Sequence, residues 1–284
     1  TGVLFYIVTK DDPALRRRKA EGIKHATFME QMEPLRNLQV WRFSLYYFFV
    51  FGAFVALALW LPRYYVGAYG LELGTAGMLA AAYALPGSIF RALGGYLSDI
   101  IGARRVMYWT FVVCVACTFI MSYPSTDYNI AGIQGPVEFN ITIPLWAFVS
   151  LTIVLGFFMS LGKAAVYKHI PVYYPNHVGS VGGIVGLIGG LGGFCLPIAF
   201  GYMNDVIGIW TSCFMLLTLL IGIALLWMHV SIVRMDKKSS PELRGPRYLP
   251  ELEALMKESE ELQEKTAAIR KQSEAVISQI KQET

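Results

Sequence analysis

The sequence predicts an all-α protein that is embedded in a membrane. Hydrophobic residues occupy 55% of the 284 positions and charged residues only 15%, whereas a soluble domain of this size carries about 25% charged residues. The mean hydropathy is +0.48, and the apolar residues form long blocks rather than amphipathic stripes. A helix of about 20 apolar residues crosses a hydrocarbon core about 30 Å thick. We therefore expect a bundle of transmembrane helices.

Six complete spans are predicted, separated by segments that contain Gly, Pro or charged residues. They cover about 41–65, 73–98, 106–122, 142–166, 178–203 and 208–231, within a six-helix transmembrane bundle at 38–232. Before the bundle, we expect residues 1–9 to be the end of a truncated transmembrane helix and residues 10–37 to be a polar connector. The chain is therefore expected to be the second part of a longer protein.

Lys and Arg are unevenly distributed among the predicted loops. The loops at 123–140 and 203–208 contain none. The connector, the 99–105 loop, the 167–177 loop with Lys168 and His169, and the tail contain nearly all of them. Loops that are rich in Lys and Arg stay on the cytoplasmic side of a membrane. We therefore expect the connector and the tail, 233–284, to be cytoplasmic.

The tail is predicted to be helical from about residue 250. Four apolar residues recur every seven positions: Leu255, Leu262, Ile269 and Val276. The companion heptad position is polar through the middle of this helix, whereas a coiled coil needs both positions apolar. A solvated amphipathic helix and a helix that contacts a partner both remain open.

Two positive charges lie inside apolar blocks. Arg91 precedes Asp99 by eight residues, so it lies about 12 Å deeper than the membrane surface that Asp99 would mark. A charge at that depth usually faces an interior cavity and has a function, although a structural ion pair would also explain it. Lys163 could draw anions into a pathway, pair with a carboxylate elsewhere, or extend its ammonium group to the membrane surface.

The segment GGYLSDIIGARR joins the second and third spans. Gly95 permits close helix packing, and Asp99 ends the span before a turn at Gly102. Arg104 and Arg105 can bind helix-end carbonyls or a carboxylate, so the loop can act as a conformational latch. The segment resembles the cytoplasmic loop motif of the major facilitator superfamily, G-x-L-x-D-x-x-G-R-R. It departs from that motif at two positions where the family often has basic residues.

The fifth span is rich in glycine. The segment GSVGGIVGLIGGLGGFCLP contains eight glycines. Gly182, Gly186 and Gly190 are spaced four apart and share one helix face, with Gly189 beside it. Because glycine destabilises helices, we expect this face to allow close approach of another helix or of a ligand.

Three segments extend the resemblance. FRALGGYLSD, GKAAVYKHIPVYYP and GLIGGLGGFCLP together resemble the C-terminal half of the nitrate/nitrite porters (NarK-like) of the major facilitator superfamily. The resemblance covers about residues 1–232. It implies the C-terminal six-helix bundle of a twelve-span carrier, namely the end of span 6 and all of spans 7–12. It also implies a partner, the N-terminal six-helix half, which is absent from this chain.

The resemblance also implies the residues of the anion site. The family holds its anion between two arginines, one from each half, with aromatic residues above and below. The matching substrate-binding positions in this chain are Arg91, Tyr47, Phe51, Gly186, Gly189 and Gly190. A guanidinium group presents parallel N–H donors that suit a planar anion such as nitrate. Core or lipid-facing aromatic residues would show the same spacing as Tyr47 and Phe51.

The resemblance thus implies secondary active transport of nitrate, nitrite or both across a bacterial inner membrane by alternating access. A carrier of another small or organic anion and a non-transporting membrane assembly subunit remain alternatives. No acidic residue lies deep in a span, which favours anion exchange, but the family also includes proton symporters. Because no catalytic set, metal-ligand cluster or phosphate-binding loop is found, no enzyme activity, cofactor, metal or nucleic acid is expected. Membrane lipid is the expected surrounding.

Overall fold

The computed structural model describes residues 29, 32–175, 177–238, 257–263 and 265–266. The helix end predicted at 1–9, most of the connector and most of the tail lie outside these residues. The part of the tail that the structure does describe is helical.

Within the described residues, five apolar helical stretches are long enough to cross a membrane. They are Leu38–Tyr69, Leu73–Ser122, Leu145–Tyr173, Val178–Ile207 and Ser212–Arg234. The second contains 50 residues, which as a straight helix would be about 75 Å long, more than twice the core thickness of about 30 Å. It is interrupted by the π-helical turn Ser98–Gly102, where Gly102 has a φ of 87°. This stretch therefore contains both the second and the third predicted spans.

Between residues 38 and 238, the structure has eight α-helices. These are α1 (Leu38–Tyr47), α2 (Phe54–Tyr69), α3 (Leu73–Ile89), α4 (Arg91–Leu97), α5 (Ala103–Ser122), α6 (Leu145–Tyr173), α7 (Val178–Ile207) and α8 (Ser212–Lys238). A 3₁₀ turn at Glu33–Arg36 precedes α1, and the π-helical segment Phe48–Ala53 joins α1 to α2. Gly70 and Gly208 end α2 and α7 in the left-handed conformation, a common way to end a helix.

Helix α6 is longer than the predicted fourth span. The sequence predicts a loop at 167–177, but α6 continues to Tyr173, so Lys168 and His169 are helical. The loop prediction was wrong because the packing of this segment against α1 keeps it helical, although Pro171 and the neighbouring tyrosines favour a turn. The ring of Tyr173 lies 5.4 Å from that of Phe43 on α1, and the ring of His169 lies 5.5 Å from the same phenyl group.

The segment between α5 and α6 forms a β-hairpin. Strand β1 (Thr126–Gly132) pairs antiparallel with β2 (Gly135–Ile141), and Tyr128 lies opposite Phe139. Gly135 follows the two-residue turn with a φ of 130°. The sequence predicts a polar loop at 123–140 but no strands, so the hairpin is structure that the prediction did not include. Both strands alternate apolar and polar side chains, but the pairing that forms the hairpin joins residues on separate strands.

Two close helix crossings bring the middle of the bundle together. Helix α7 packs on the π-helical segment, where a Cβ on Gly52 would lie 2.7 Å from the carbonyl oxygen of Gly189. Helix α3 packs on α6, where a Cβ on Gly87 would lie 3.2 Å from the carbonyl oxygen of Gly156. Because side chains would not fit at these points, the glycines allow the π-helical segment to approach α7, and the end of α3 to approach α6.

Candidate functional site

Tyr47 and Phe51 stack directly on each other. Tyr47 ends α1, and Phe51 lies in the π-helical segment Phe48–Ala53, a type of helix distortion that is frequent at functional sites. The two ring centroids are 5.0 Å apart with an interplanar angle of 8°. No anion fits between rings in that arrangement. In this structure the pair therefore forms one aromatic wall rather than the two sides of a sandwich.

Arg91 lies at a break in the second span. Pro86 lies inside α3, and Phe90, with φ −70° and ψ 0°, separates α3 from α4. Arg91 is the first residue of α4, and its side chain is exposed. The guanidinium carbon lies 5.8 Å from the centroid of the Tyr167 ring, a distance at which a cation–π interaction is favourable.

Arg91 borders an open cavity of about 550 Å³. The cavity is lined by Ser88, Ile89, Arg91, Ala92, Ala164, Tyr167 and Lys168. Among the residues that the structure describes, no carboxylate forms an ion pair with Arg91. The guanidinium is therefore available to an anion that enters this cavity.

Tyr167 connects the aromatic wall to the arginine. Its ring meets that of Tyr47 edge to face, with centroids 4.9 Å apart, and its hydroxyl donates a hydrogen bond of 3.2 Å to the carbonyl of Gly182 on α7. The Tyr47 hydroxyl lies within electrostatic reach of both Arg91 and Tyr167. Sequence reasoning missed Tyr167. The available signal was its position four residues after Lys163, which places both on one helix face.

The structure separates the three glycines predicted to bind substrate. A Cβ on Gly189 would overlap the Tyr47 ring, and a Cβ on Gly186 would lie 2.9 Å from the Tyr167 hydroxyl oxygen. A Cβ on Gly190 would meet nothing within 4 Å. Packing inside the described bundle thus accounts for Gly186 and Gly189 but not for Gly190.

Lys163 is buried inside the bundle. Its side chain is 4% exposed, so the ammonium group does not extend to the surface. Its Nζ donates a hydrogen bond of 3.3 Å to the carbonyl oxygen of Gly87 and lies 3.0 Å from the centroid of the Phe54 ring. Lys163 also lies within electrostatic reach of Arg91. Lys163 and Arg91 therefore bring two basic groups close together inside the bundle. Among the described residues, no carboxylate forms an ion pair with either of them.

Asp99, one of the residues predicted to form a latch, pairs with a lysine of α6 in the structure. The carboxylate of Asp99 lies 2.5 Å from the Nζ of Lys168 on α6, a residue that the sequence places in a loop. Of the two adjacent glycines in the motif, Gly94 makes the close approach, since a Cβ there would lie 2.6 Å from the Cα of Leu161, whereas a Cβ on Gly95 would meet nothing within 4 Å. Arg104 and Arg105 begin α5 on the other side of the break at Gly102.

Comparison with known proteins matches the chain to membrane transporters. The sequence model of the protein family described as Major Facilitator Superfamily matches residues 1–137 and 130–273. A probable nitrate/nitrite antiporter, NarK1 of Thermus thermophilus, is 44% identical over 234 residues, which is 82% of this chain and 52% of the relative. The nitrite extrusion protein of Bacillus subtilis (strain 168) is 31% identical over 197 residues, 68% of this chain and 45% of the relative.

Solved structures show the same fold at low sequence identity. Tetrameric PepTSo2 superposes with a TM-score of 0.55 at 18% identity, covering 76% of this chain and 46% of that one. FucP, a Major Facilitator Superfamily transporter in the outward conformation, superposes with a TM-score of 0.54 at 17% identity. The match covers 73% of this chain and 47% of that one.

The chain spans about half the length of the curated relatives that it matches. The apolar helices, the family match and the shared fold agree with one another. This multi-pass membrane protein therefore belongs to the Major Facilitator Superfamily.

Proposed function

We propose that this chain supplies the C-terminal half of the anion site of a nitrate and/or nitrite transporter in a bacterial inner membrane. The observation that carries the proposal is the environment of Arg91. Its guanidinium borders an open cavity beside Tyr167 and forms no ion pair with the described carboxylates. A membrane-embedded cation in that position suits an anionic ligand.

The chemistry of the site favours a small planar anion. A guanidinium offers two parallel N–H donors to two oxygens of one such ion. The rings of Tyr47 and Tyr167 lie beside Arg91 and would exclude water from one face of the anion. Because Tyr47 and Phe51 form a single wall, the opposite wall and the second arginine would come from the N-terminal half.

Transport would proceed by alternating access. In carriers with two structural repeats, the repeats rock about a site near the bilayer midplane. The Asp99–Lys168 pair joins the break after α4 to the end of α6. It lies on the side that we assign to the cytoplasm, because the Lys- and Arg-rich segments are there. We propose that it stabilises one of the two access states.

Lys163 would support the site from inside the bundle. Its hydrogen bond holds the Gly87 carbonyl four residues before Arg91, and its charge adds to the field that attracts an anion. It would therefore act as a positioning residue and as part of the anion pathway, in addition to the contacts that Arg91 makes.

A chimeric transporter tests the proposal. The chain would be fused to the N-terminal half of the Thermus thermophilus relative and reconstituted in liposomes. We expect the chimera to take up nitrate or nitrite and the 284-residue chain alone to transport neither. Transport by the chain alone would contradict the half-site proposal. A folded chimera that moves another anion, with Arg91→Lys still active, would instead support a carrier that needs only a positive charge.

A further inference from the structure

One face of the β-hairpin is apolar and exposed. Because directly opposite residues of an antiparallel pair lie on the same face, Tyr128 and Phe139 share a face with Ile130 and Val137. The rings of Tyr128 and Phe139 stack with centroids 5.2 Å apart. Ile130, Val137 and Phe139 are 49%, 53% and 43% exposed, and Ile133 in the turn is fully exposed. We call Tyr128, Ile130, Val137 and Phe139 the apolar face.

The opposite face of the hairpin is polar. Asn140 donates a hydrogen bond of 2.6 Å to Asp127, and Asn129 donates one of 3.0 Å to Glu138. These residues alternate along the strands with those of the apolar face. The hairpin is therefore amphipathic, with two carboxylates on the face that can remain in water.

The described part of the chain leaves the apolar face uncovered. The two strands pair with each other and make few contacts with the helices. Exposed contiguous apolar surface usually marks a contact with a membrane or another protein.

The position of the hairpin in the chain indicates whether the apolar face contacts lipid or another protein. It follows α5, which ends at Ser122, and precedes α6, which begins at Leu145. Tyr123 and Trp146 flank it and are 39% and 74% exposed. Exposed Tyr and Trp at the ends of transmembrane helices mark the membrane–water interface. The hairpin therefore starts at the level of the lipid headgroups.

We propose that the apolar face of the hairpin lies against the lipid leaflet, with its side chains in the boundary between headgroups and acyl chains. A seven-residue strand is about 24 Å long, so the hairpin can extend along the surface from the bundle. Tyr123 and Trp146 lie on either side of the hairpin in the chain, and the apolar face carries no charge that would have to be desolvated. This surface acts independently of the anion site.

Site-directed spin labelling tests the proposal on the full chain in vesicles of phosphatidylethanolamine and phosphatidylglycerol. Among the described cysteines, Cys195 is exposed, and the other three are buried. In a Cys195→Ala background, single labels would be placed at Val137→Cys and at its neighbour Glu138→Cys. Ile130→Cys and Asn129→Cys form a matched pair on the other strand. Collision rates would be measured with oxygen, which concentrates in lipid, and with a water-soluble nickel chelate.

We expect labels at 130 and 137 to collide several times more often with oxygen than with the nickel chelate, and labels at 129 and 138 to show the reverse preference. Frequent nickel collisions at all four positions would place the hairpin in water and overturn the proposal. Protection of 130 and 137 from both reagents would also overturn it, since a protein surface rather than lipid would then cover the apolar face.

Discussion

The ammonium group of Lys163 on α6 donates a hydrogen bond to the carbonyl oxygen of Gly87, four residues before Arg91. Gly87 lies next to Pro86, near the end of α3, where the helix breaks before the arginine. We therefore expect the position of Arg91 to depend on a residue from another span. The buried lysine connects the packing of the bundle to the geometry of the proposed anion site.

Replacing Lys163 by Met should separate stability from transport. Met fills a similar apolar volume, and it removes a buried charge that forms no ion pair with the described carboxylates and is therefore costly to bury. We expect the thermal unfolding temperature to be unchanged or higher. We also expect the KM of the chimeric transporter for nitrate to rise, because the Gly87 carbonyl is released and one positive charge is lost. Lys163→Arg is the control that keeps the charge, and normal uptake by Lys163→Met would contradict the positioning role.

Replacing Arg91 by Lys should abolish most nitrate uptake. Lysine keeps the charge but loses the paired donors, and one hydrogen bond to a charged group contributes about 1.5–3 kcal/mol. We expect uptake by the chimera to fall by about 10-fold to 100-fold per lost bond, as measured by initial rates. Arg63→Lys is a matched control, because Arg63 is also exposed and lies 5.2 Å from the ring of Trp60, but borders no part of the Arg91 cavity. Equal losses in both variants would indicate a general effect on the bundle.

Alanine at two adjacent glycines should have opposite consequences for stability. Gly189→Ala would push a methyl group into the Tyr47 ring, and overpacking of this kind typically costs about 1–3 kcal/mol. Gly190→Ala meets nothing within 4 Å and improves helix propensity. We expect the melting temperature in detergent to fall for the first variant and not for the second. If Gly190→Ala nevertheless reduces uptake by the chimera, a ligand or the N-terminal half approaches at that position.

Breaking the Asp99–Lys168 pair should change transport more than stability. The two side chains are 59% and 44% exposed, and exposed ion pairs contribute about 0–1 kcal/mol. We expect Asp99→Asn to leave the unfolding temperature nearly unchanged while altering the uptake rate of the chimera. The charge-reversed double variant Asp99→Lys/Lys168→Asp should recover part of the rate. Additive effects of the two single changes would show that the pair does not act as a latch.

Much of the fold could be predicted because the membrane imposes a strong local rule. A span must be about 20 apolar residues long and satisfy its backbone hydrogen bonds internally, so blocks of apolar residues predict helices directly. The turn at Gly102 could be predicted for the same local reason, since a glycine between Asp99 and the two arginines interrupts the apolar pattern. The hairpin and the last turns of α6 could not, because cross-strand pairing and packing against α1 involve residues that are distant in sequence.

The sequence by itself determined the membrane class, the order of the spans, the depth of Arg91 within an apolar block and the four-residue spacing of Tyr47 and Phe51. Only the tertiary structure decided that Tyr47 and Phe51 stack on each other, that Tyr167 joins them to Arg91, and which residues Lys163 and Asp99 contact. Helix periodicity specifies which residues share a face of one helix. The partner of that face depends on how the helices cross, and here the crossings depend on glycines in separate spans that allow their backbones to meet.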